Sequence, residues 1–428
     1  MSLISGTNAE EQTSGSASAP VGRYGKILLL TEYGAVAKNT VIVSTSTPAD
    51  LFPGDPVLIA ELEAYISNAG TNAWMLVRSV PVGQLTAANL DNLINDAQPA
   101  APDDFEFIGF NLDADSVFCE AVKAKLTVRR GNKERYKPVY KFRNAVVIDL
   151  EGLIVATEAA GAKASIPLAN NPLVAGDEVI IVGSANYDGT HLLDPLTDTT
   201  KLVLPVAFVA ETFAAGASFE ESPLSYSASF LLEFGAFSDK KAGIIAPTTE
   251  ANHLGIVAGV LSKAKLHEDC GWTKRFALIG ATINEVWKTK HQGALDGLMN
   301  ARALVLKKHK EDKTKIFVNR GTSMAGVTDD YDRLATARLV DKALYEAEFY
   351  TSAEINSHEH SPDPTGATAL AQIGSKGLKQ MRDVAKEITE FTIAGAWVGV
   401  DSIKLTVSII PLGYATAITT TVTVTKGA

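Results

Sequence analysis

Residues 402–428 read SIKLTVSIIPLGYATAITTTVTVTKGA. Apolar side chains alternate with polar ones in two segments of this stretch, on either side of Pro411-Leu412-Gly413. A period of two residues is typical of a half-buried β-strand, and β-branched Thr and Val suit a pleated surface. The stretch therefore predicts two strands, whose apolar face consists of Ile403, Leu405, Val407, Ile409, Ile418, Thr420, Val422 and Val424.

Two interpretations of this strand pair are open from the sequence. The strands could close a sheet within their own domain. The second strand is long, lies at the end of the sequence and has a single charged residue near it, Lys426. A strand of this kind is a template for pairing with another chain. The eight residues are therefore also candidates for an intersubunit arm that joins a neighbour by β-augmentation.

Length and composition limit the class of protein. A chain of 428 residues is expected to form two or three domains. The net charge of −10 argues against nucleic acid as a partner, since phosphate binding needs a basic surface. Two cysteines, Cys119 and Cys270, exclude a disulfide scaffold and suit a reducing compartment. The N-terminus lacks the pattern of a secretory signal, and the uncharged run 392–400 is too short to span a bilayer.

Changes in periodicity divide the sequence into five segments. Residues 1–19 are small and polar and are predicted to form an N-terminal arm. Strands and helices alternate over 20–144 and again over 223–401, as expected for an α/β layered core. Residues 145–222 carry short strands and turn residues, which predicts an inserted all-β barrel or sandwich module. With the C-terminal strand arm 402–428, the predicted fold class is an α/β (α+β) core with an inserted β module and extended terminal arms.

The pattern also predicts individual elements of the core. Strands are predicted at 25–30, 40–44, 74–80, 105–110, 137–142, 230–234, 241–246, 276–280 and 391–398. Helices are predicted at 55–67, 252–265, 294–302 and 329–349, around Leu90 and Leu93, along the apolar stripe from Leu370 to Ile388, and after a cap at Asp113. A hairpin with a charged tip is predicted from strands at 304–309 and 315–319.

Motifs for catalysis are largely absent from the sequence. It contains no dinucleotide or Walker glycine loop, no nucleophile elbow and no His-Glu-x-x-His motif. Segment 183–189 has turn chemistry and lacks the lysine and the helix of a phosphate loop. His358 and His360, with Asp363, could bind a metal, although their place beside two prolines favours a polar loop. We therefore expect no catalytic residue, no cofactor and no metal.

Three stretches of the sequence resemble contractile tail sheath proteins of myophage tails and related phage-derived injection machines. The first, SNAGTNAWMLVR at 67–78, resembles the family's helix, glycine-containing turn and strand ending in Arg. The second, from LGIVAG at 254–259 to IGATIN at 279–284, resembles the entry to its core. The third comprises Asn319-Arg320-Gly321, the two long helices and the strands ending in Val422-Thr423-Val424.

This resemblance covers residues 20–142 and 225–428, with two departures. Gly321 stands where the family has a second Arg beside Arg320. The family's aromatic-rich, Asn-containing segment after the first long helix is reduced to Phe349-Tyr350 and Asn356.

The resemblance implies a structural protein without catalysis. Sheath subunits stack as helical rings around an inner tail tube, and their terminal arms complete a shared β-sheet with neighbours. The implied partners are further copies of the chain, the inner tube protein, the baseplate and the tail terminator, with no nucleic acid and no membrane insertion. The implied location is a virion tail assembled in the bacterial cytoplasm, and the β module would face outward because the inner wall must fit the tube.

Two other functions remain open from the sequence. One is another self-assembling tail component, such as a tube or baseplate protein. The other is an α/β metal-dependent enzyme that uses His358 and His360.

Overall fold

A computed structural model describes residues 25–101, 104–131, 134–158, 162–169, 171–247, 253–273, 275–283, 292–309, 312, 314–326, 329, 331–355, 360–412 and 418–425. The predicted arm 1–19 lies outside these residues.

The largest sheet forms the body of the molecule. Its strands are β1 (Ile27–Glu32), β2 (Lys38–Val43), β3 (Trp74–Val80), β4 (Phe107–Asp113), β5 (Lys137–Lys141) and β13 (Gly243–Ile245). They lie in the order β13-β5-β4-β1-β3-β2, and all neighbours are parallel except β2, which runs antiparallel to β3 at one edge. Parallel strands are covered on both faces, and the run from Ile27 to Leu30 is accordingly buried throughout.

Helices surround this sheet and connect its strands. They are α1 (Pro48–Leu51), α2 (Pro56–Ala69), α3 (Leu90–Ala97), α4 (Ser116–Gly131), α5 (Pro223–Phe234), α6 (His253–Lys263) and α7 (Gln292–Asn300). Helices α2 and α6 touch along their backbones. A Cβ added at Gly255 would lie 1.9 Å from the Glu61 carbonyl oxygen, and one at Gly259 would lie 2.7 Å from that of Tyr65. Only glycine permits this contact.

The described residues between 147 and 221 form strands and no helix. These strands are β6 (Val147–Asp149), β7 (Ala156–Glu158), β8 (Lys163–Pro167), β9 (Glu178–Val182), β10 (Gly189–Leu192), β11 (Lys201–Ala207) and β12 (Ser218–Glu221). They pair as two sheets, β10-β9-β12-β6 and β11-β8-β7, around a separate apolar cluster that includes Ile166, Leu202 and Phe219. Segment 183–189 joins β9 to β10, as predicted, and its amides at Ala185 and Asn186 donate to the Glu211 carboxylate.

The C-terminal part of the chain builds a second layered unit on a second apolar core. After the hairpin β14 (Leu306–Lys308) and β15 (Ile316–Val318), it comprises α8 (Leu334–Ile355), α9 (Pro364–Lys379) with a π-helical turn at Gln380–Val384, β16 (Ile388–Trp397), β17 (Ser402–Pro411) and β18 (Ile418–Thr425). The three strands form an antiparallel sheet in the order β16-β17-β18. The predicted hairpin and both long helices are therefore present.

Two predicted strands are wrong. Segment 230–234 is the end of α5, which begins with a strong N-terminal signal. Pro223 occupies the first turn, and the Ser222 hydroxyl accepts the Ser225 amide hydrogen at 3.2 Å. Segment 276–280 has no strand ladder; its amides at Phe276 and Leu278 donate to the carbonyl oxygens of Trp272 and Ile316.

The predicted cap of α4 is displaced along the chain. Asp113 is the last residue of β4, and the Asp115 carboxylate accepts the Phe118 amide hydrogen at 2.7 Å. The cap therefore lies at the acidic residue next to the first helical turn, because a cap side chain reaches only the free amides of that turn.

Candidate assembly surface: the terminal sheet

The terminal sheet is held by a regular ladder with β17 in the centre. Val407 pairs with Ile393 on one side and with Thr420 on the other. The pairing of β16 with β17 runs from Ile388 opposite Pro411 to Trp397 opposite Ile403. The pairing of β17 with β18 runs from Ile409 opposite Ile418 to Ser402 opposite Thr425. This register places every second residue of all three strands on the same face.

The inner face of the sheet is apolar and packs on its own chain. Six of the predicted residues are at most 2% exposed, namely Ile403, Leu405, Val407, Ile409, Ile418 and Val424. Thr420 and Val422 lie on the same face and are half-buried. The face joins a cluster with Val340 and Ala347 of α8 and Leu370 of α9. The alternation predicted from the sequence is therefore present, and the exchange of these strands between subunits stays a prediction.

The outer face of the sheet is mostly polar, and its charged residues are Glu390 and Lys404. Its rows across β16, β17 and β18 are Thr392-Ser408-Thr419, Ala394-Thr406-Thr421 and Ala396-Lys404-Thr423. The hydroxyl groups of Thr419 and Ser408 are 3.0 Å apart and form a hydrogen bond. This face, with its small hydroxyl side chains, is exposed to solvent, whereas the opposite face is buried.

The two edges of the sheet are formed by β16 and β18. Within the described residues, each pairs with β17 alone. Natural sheets usually protect an edge with a proline, a charged side chain or a bulge. Strand β18 has no proline and no charge between Ile418 and Thr425. Its free backbone groups can therefore accept a further strand.

A basic stripe runs along α9 and the turn after it. Lys376, Lys379, Arg382 and Lys386 are exposed or half-exposed at spacings close to one helical turn. Asp383 pairs with Arg382 at 2.7 Å. The stripe is positively charged, although the net charge of the whole chain is −10.

The predicted metal group is only partly within the described residues. His358 lies outside them, and His360 lies at their edge. Asp363 has another role, because its carboxylate accepts the Gly366 amide hydrogen at 2.8 Å and caps α9. That hydrogen bond lowers the pKa of Asp363. Among the residues with described positions, no group of three His, Cys, Asp or Glu side chains is arranged to hold a metal ion.

The two cysteines are structural residues of the body. Cys119 and Cys270 are both buried in its apolar core. Burial raises the pKa of each thiol. A raised pKa leaves little thiolate, so neither has the character of a nucleophile.

An open cleft of about 730 Å³ lies between the body and the end of β17. Trp272, Arg320, Arg333 and Leu412 line it. Its guanidinium groups are satisfied by carboxylates of this chain, since Arg320 pairs with Asp332 and Arg333 pairs with Asp269 at 3.0 Å.

The same region explains the Gly321 departure from the family pattern. A Cβ at Gly321 would lie 2.8 Å from both Asp269 Oδ1 and Cys270 Sγ. The Gly321 amide also donates to Asp269 Oδ1 at 2.7 Å. A second arginine therefore has no room at this position.

Sequence reasoning missed a group of buried charges on α8. Arg338 and Asp341 are at most 2% exposed, and each pairs with a charged residue of the body. The available signal was the presence of charged residues 338, 341 and 348 on a helix whose neighbouring positions are mostly apolar. A periodicity count assigns such residues to the solvent face, and it cannot supply their distant partners.

No described helix combines the length and the apolarity needed to cross a bilayer.

Comparisons with known proteins found similar solved structures, two of which are described as sheath tail proteins. No protein-family model and no curated protein matches the chain. The chain is similar to the crystal structure of the sheath tail protein from Desulfitobacterium hafniense, with 9% identity, a TM-score of 0.42, and coverage of 96% of this chain and 98% of that one. It is also similar to the sheath tail protein from Listeria innocua, with 10% identity, a TM-score of 0.43 and coverage of 98% of both chains. Over nearly its whole length, the chain is thus similar to proteins described as tail sheath proteins.

Proposed function

We propose that this protein is the structural subunit of a contractile tail sheath. Its copies assemble as a helical tube around an inner tail tube, linked by exchanged terminal strands, and contraction drives that tube through a target envelope. The observation that carries the proposal is β18, a terminal strand with one apolar face and an unprotected edge. The sequence motifs that resemble the sheath family support it independently.

Strand exchange needs no new interactions. When β18 of one copy replaces β18 of the next, the eight backbone pairs with β17 and the contacts of Ile418 and Val424 are kept. An exchange that conserves its contacts has a low cost, as in domain swapping. Repeating such a head-to-tail contact by a rotation and a rise generates an open helical tube.

The basic stripe on α9 suits the inner wall of such a tube. Lys376, Lys379 and Lys386 would steer and hold an acidic surface on the inner tube protein. The all-β segment 145–222 would face outward, away from that tube. The baseplate and the tail terminator would bind the two ends of the assembly.

Contraction follows from a metastable extended lattice. Subunits would move as rigid bodies toward a state with more intersubunit contact, while the exchanged strands keep neighbours connected. The chain would need no cofactor for this, because the energy is stored in the lattice during assembly.

A disulfide across β17 and β18 tests the exchange directly. Thr406 and Thr421 are paired on the outer face, so Thr406→Cys/Thr421→Cys can form a bond without disturbing the core. The assembled variant is oxidised, denatured and separated on a non-reducing gel. We expect a ladder of covalent multimers, since each bond would join two copies.

The single variant Thr406→Cys is the matched control and should remain monomeric on the gel. A double variant that assembles into tubes yet gives only monomers has its strands paired within one chain, which contradicts the exchange. Electron microscopy of the same samples establishes whether tubes are present. If the chain alone does not assemble, it is co-expressed with the inner tube protein before oxidation.

A further inference from the structure

Helix α8 lies between two apolar cores and has a different face toward each. Val340, Ala343 and Ala347 belong to the cluster under the terminal sheet. The opposite side carries Arg338 and Asp341, which face the body. The contact between the body and the C-terminal unit therefore includes a row of buried ion pairs, which we name the ionic seam.

Arg338 makes the most connections in the ionic seam. It is 2% exposed, and its Nε and Nη2 donate to the two oxygens of Glu106 at 2.9 and 3.0 Å. Its Nη1 donates to the carbonyl oxygens of Ala264 and Lys265, at 3.0 and 3.3 Å, just after α6. Glu106 in turn accepts the Gly25 amide hydrogen at 2.8 Å, just before β1. Arg338 of α8 therefore contacts two separate parts of the body directly and a third through Glu106.

Other ion pairs extend the ionic seam along the helix. Lys137 of β5 lies 2.8 Å from Asp341 and 3.5 Å from Glu106, and all three side chains are fully buried. Lys241 also pairs with Asp341, at 2.5 Å. Further along, Arg135 pairs with Glu348 at 2.9 Å.

An ionic seam restricts motion more than an apolar one. Apolar side chains can slide and repack at little cost, because the hydrophobic effect has no direction. Rotating or shifting α8 would separate each buried ion from its partner, and an unpaired buried charge is strongly unfavourable. The ionic seam therefore permits one position of α8 on the body.

We infer that Arg338 is the positioning residue that couples the terminal sheet to the body, so that the two behave as one mechanical unit. This goes beyond the proposed function and holds for a single unassembled chain. In an assembled sheath, a pull on the terminal strands would then reach the six-stranded sheet through α8.

The test uses Arg338→Met, Arg338→Lys and the double variant Glu106→Gln/Arg338→Met in the full chain. The double variant leaves no unpaired charge on Glu106, so it remains informative if Arg338→Met fails to fold. Arg382→Met is the control, since Arg382 is a half-exposed arginine paired with Asp383 in the C-terminal unit. Calorimetry and hydrogen exchange are measured on dilute, unassembled protein, so the result is independent of strand exchange.

For the wild-type chain and Arg382→Met we expect one cooperative unfolding transition. For Arg338→Met and the double variant we expect two, with exchange in residues 388–425 accelerated at least tenfold and exchange in β1 and β4 unchanged. Exchange in Arg338→Lys should be intermediate between that of the wild type and that of Arg338→Met. Lysine keeps the positive charge but lacks the forked guanidinium group that binds both oxygens of Glu106. A single transition in the double variant, with exchange raised equally in both units or not raised at all, would show that Arg338 only neutralises Glu106 and would overturn the inference.

Discussion

The body sheet and the terminal sheet are both built from strands with buried apolar side chains, but they differ in how many of their faces are covered. Leu28 and Leu76 of the body lie on parallel strands covered on both faces, and both are fully buried. Leu405 of the terminal sheet is equally buried, but its strand neighbours Lys404 and Thr406 face solvent. The layers around the body sheet cover both of its faces, whereas the terminal sheet has one solvent-exposed face. Among the described residues the edge strand β18 pairs with β17 alone, just as the edge strand β2 of the body pairs with β3 alone. Burial of one face supplies stability, and exposure of the edge leaves room for assembly.

The largest expected effect on stability lies in the body, at the contact of α2 and α6. Gly255→Val should destabilise the protein by at least about 4 kcal/mol, more than usual overpacking, because the new Cβ meets the Glu61 backbone oxygen. Chemical denaturation measures the loss. Gly293→Ala is the control, since an added Cβ there meets no atom within 4 Å; it should leave stability unchanged or raise it. Equal behaviour of the two variants would contradict the close packing.

Matched leucine truncations compare the two sheets directly. Leu76→Ala and Leu405→Ala each remove a fully buried side chain and should cost about 3 kcal/mol. Their hydrogen exchange should differ, because Leu76→Ala loosens the body whereas Leu405→Ala loosens residues 402–425 most. The same exchange pattern in both variants would show that the sheets do not respond separately.

The stability of the body should depend on pH through one buried carboxyl group, that of Glu61. Burial of Glu61 raises its pKa from 4.5 to about 7, and its carboxylate accepts the Gly255 amide hydrogen at 2.5 Å. An acid with a raised folded-state pKa contributes stability below pH 4.5, and this contribution is lost as the pH rises through 7. We therefore expect the wild-type chain to lose on the order of 2–3 kcal/mol between pH 5 and pH 8 through this group.

The variant Glu61→Gln isolates that contribution. The unfolding free energy of the wild type, relative to that of the variant, should decrease between pH 5 and pH 8. Denaturation at several pH values measures this difference. A difference that stays constant from pH 5 to pH 8 would mean that Glu61 does not titrate there.

The smallest effect is expected on the outer face of the terminal sheet. Thr406→Ala removes a hydroxyl from a partly exposed position and should change stability by less than about 0.5 kcal/mol. Thermal unfolding beside Leu405→Ala measures the contrast between adjacent residues on opposite faces. A large loss in Thr406→Ala would show that the outer face is covered in the folded chain.

Much of this comparison could be predicted from local sequence patterns. The alternation at Ile403, Leu405 and Val407 identifies both the strand and its buried face, because side-chain direction in a strand depends only on position. The run from Ile27 to Leu30 likewise indicates a strand buried on both faces. Local patterns were misleading at 230–234, where an apolar run suits a strand or a helix and the Ser222-Pro223 cap decides for the helix.

The remaining features depend on contacts between distant residues. Arg338 and Glu106 are separated by 232 positions, and nothing near either residue indicates the other. The same holds for Gly321, whose lack of a side chain is explained only by its direct contact with Asp269 and Cys270. The buried faces of the strands and helices follow from spacing, whereas the strand register and the ionic seam require the three-dimensional structure.

In the proposed sheath, the threonine-rich outer face of the terminal sheet would limit the directions in which copies can join. A flat apolar face would let sheets stack, and stacked sheets with open edges form insoluble fibrils. Here the rows of Thr392, Ser408 and Thr419 keep water on that face, so that another chain gains little by lying on it. In the proposed assembly, attachment would therefore be favoured through the strand edges and disfavoured on this face. Copies would join in ordered rows, and a newly made chain would stay in solution until its neighbours arrive.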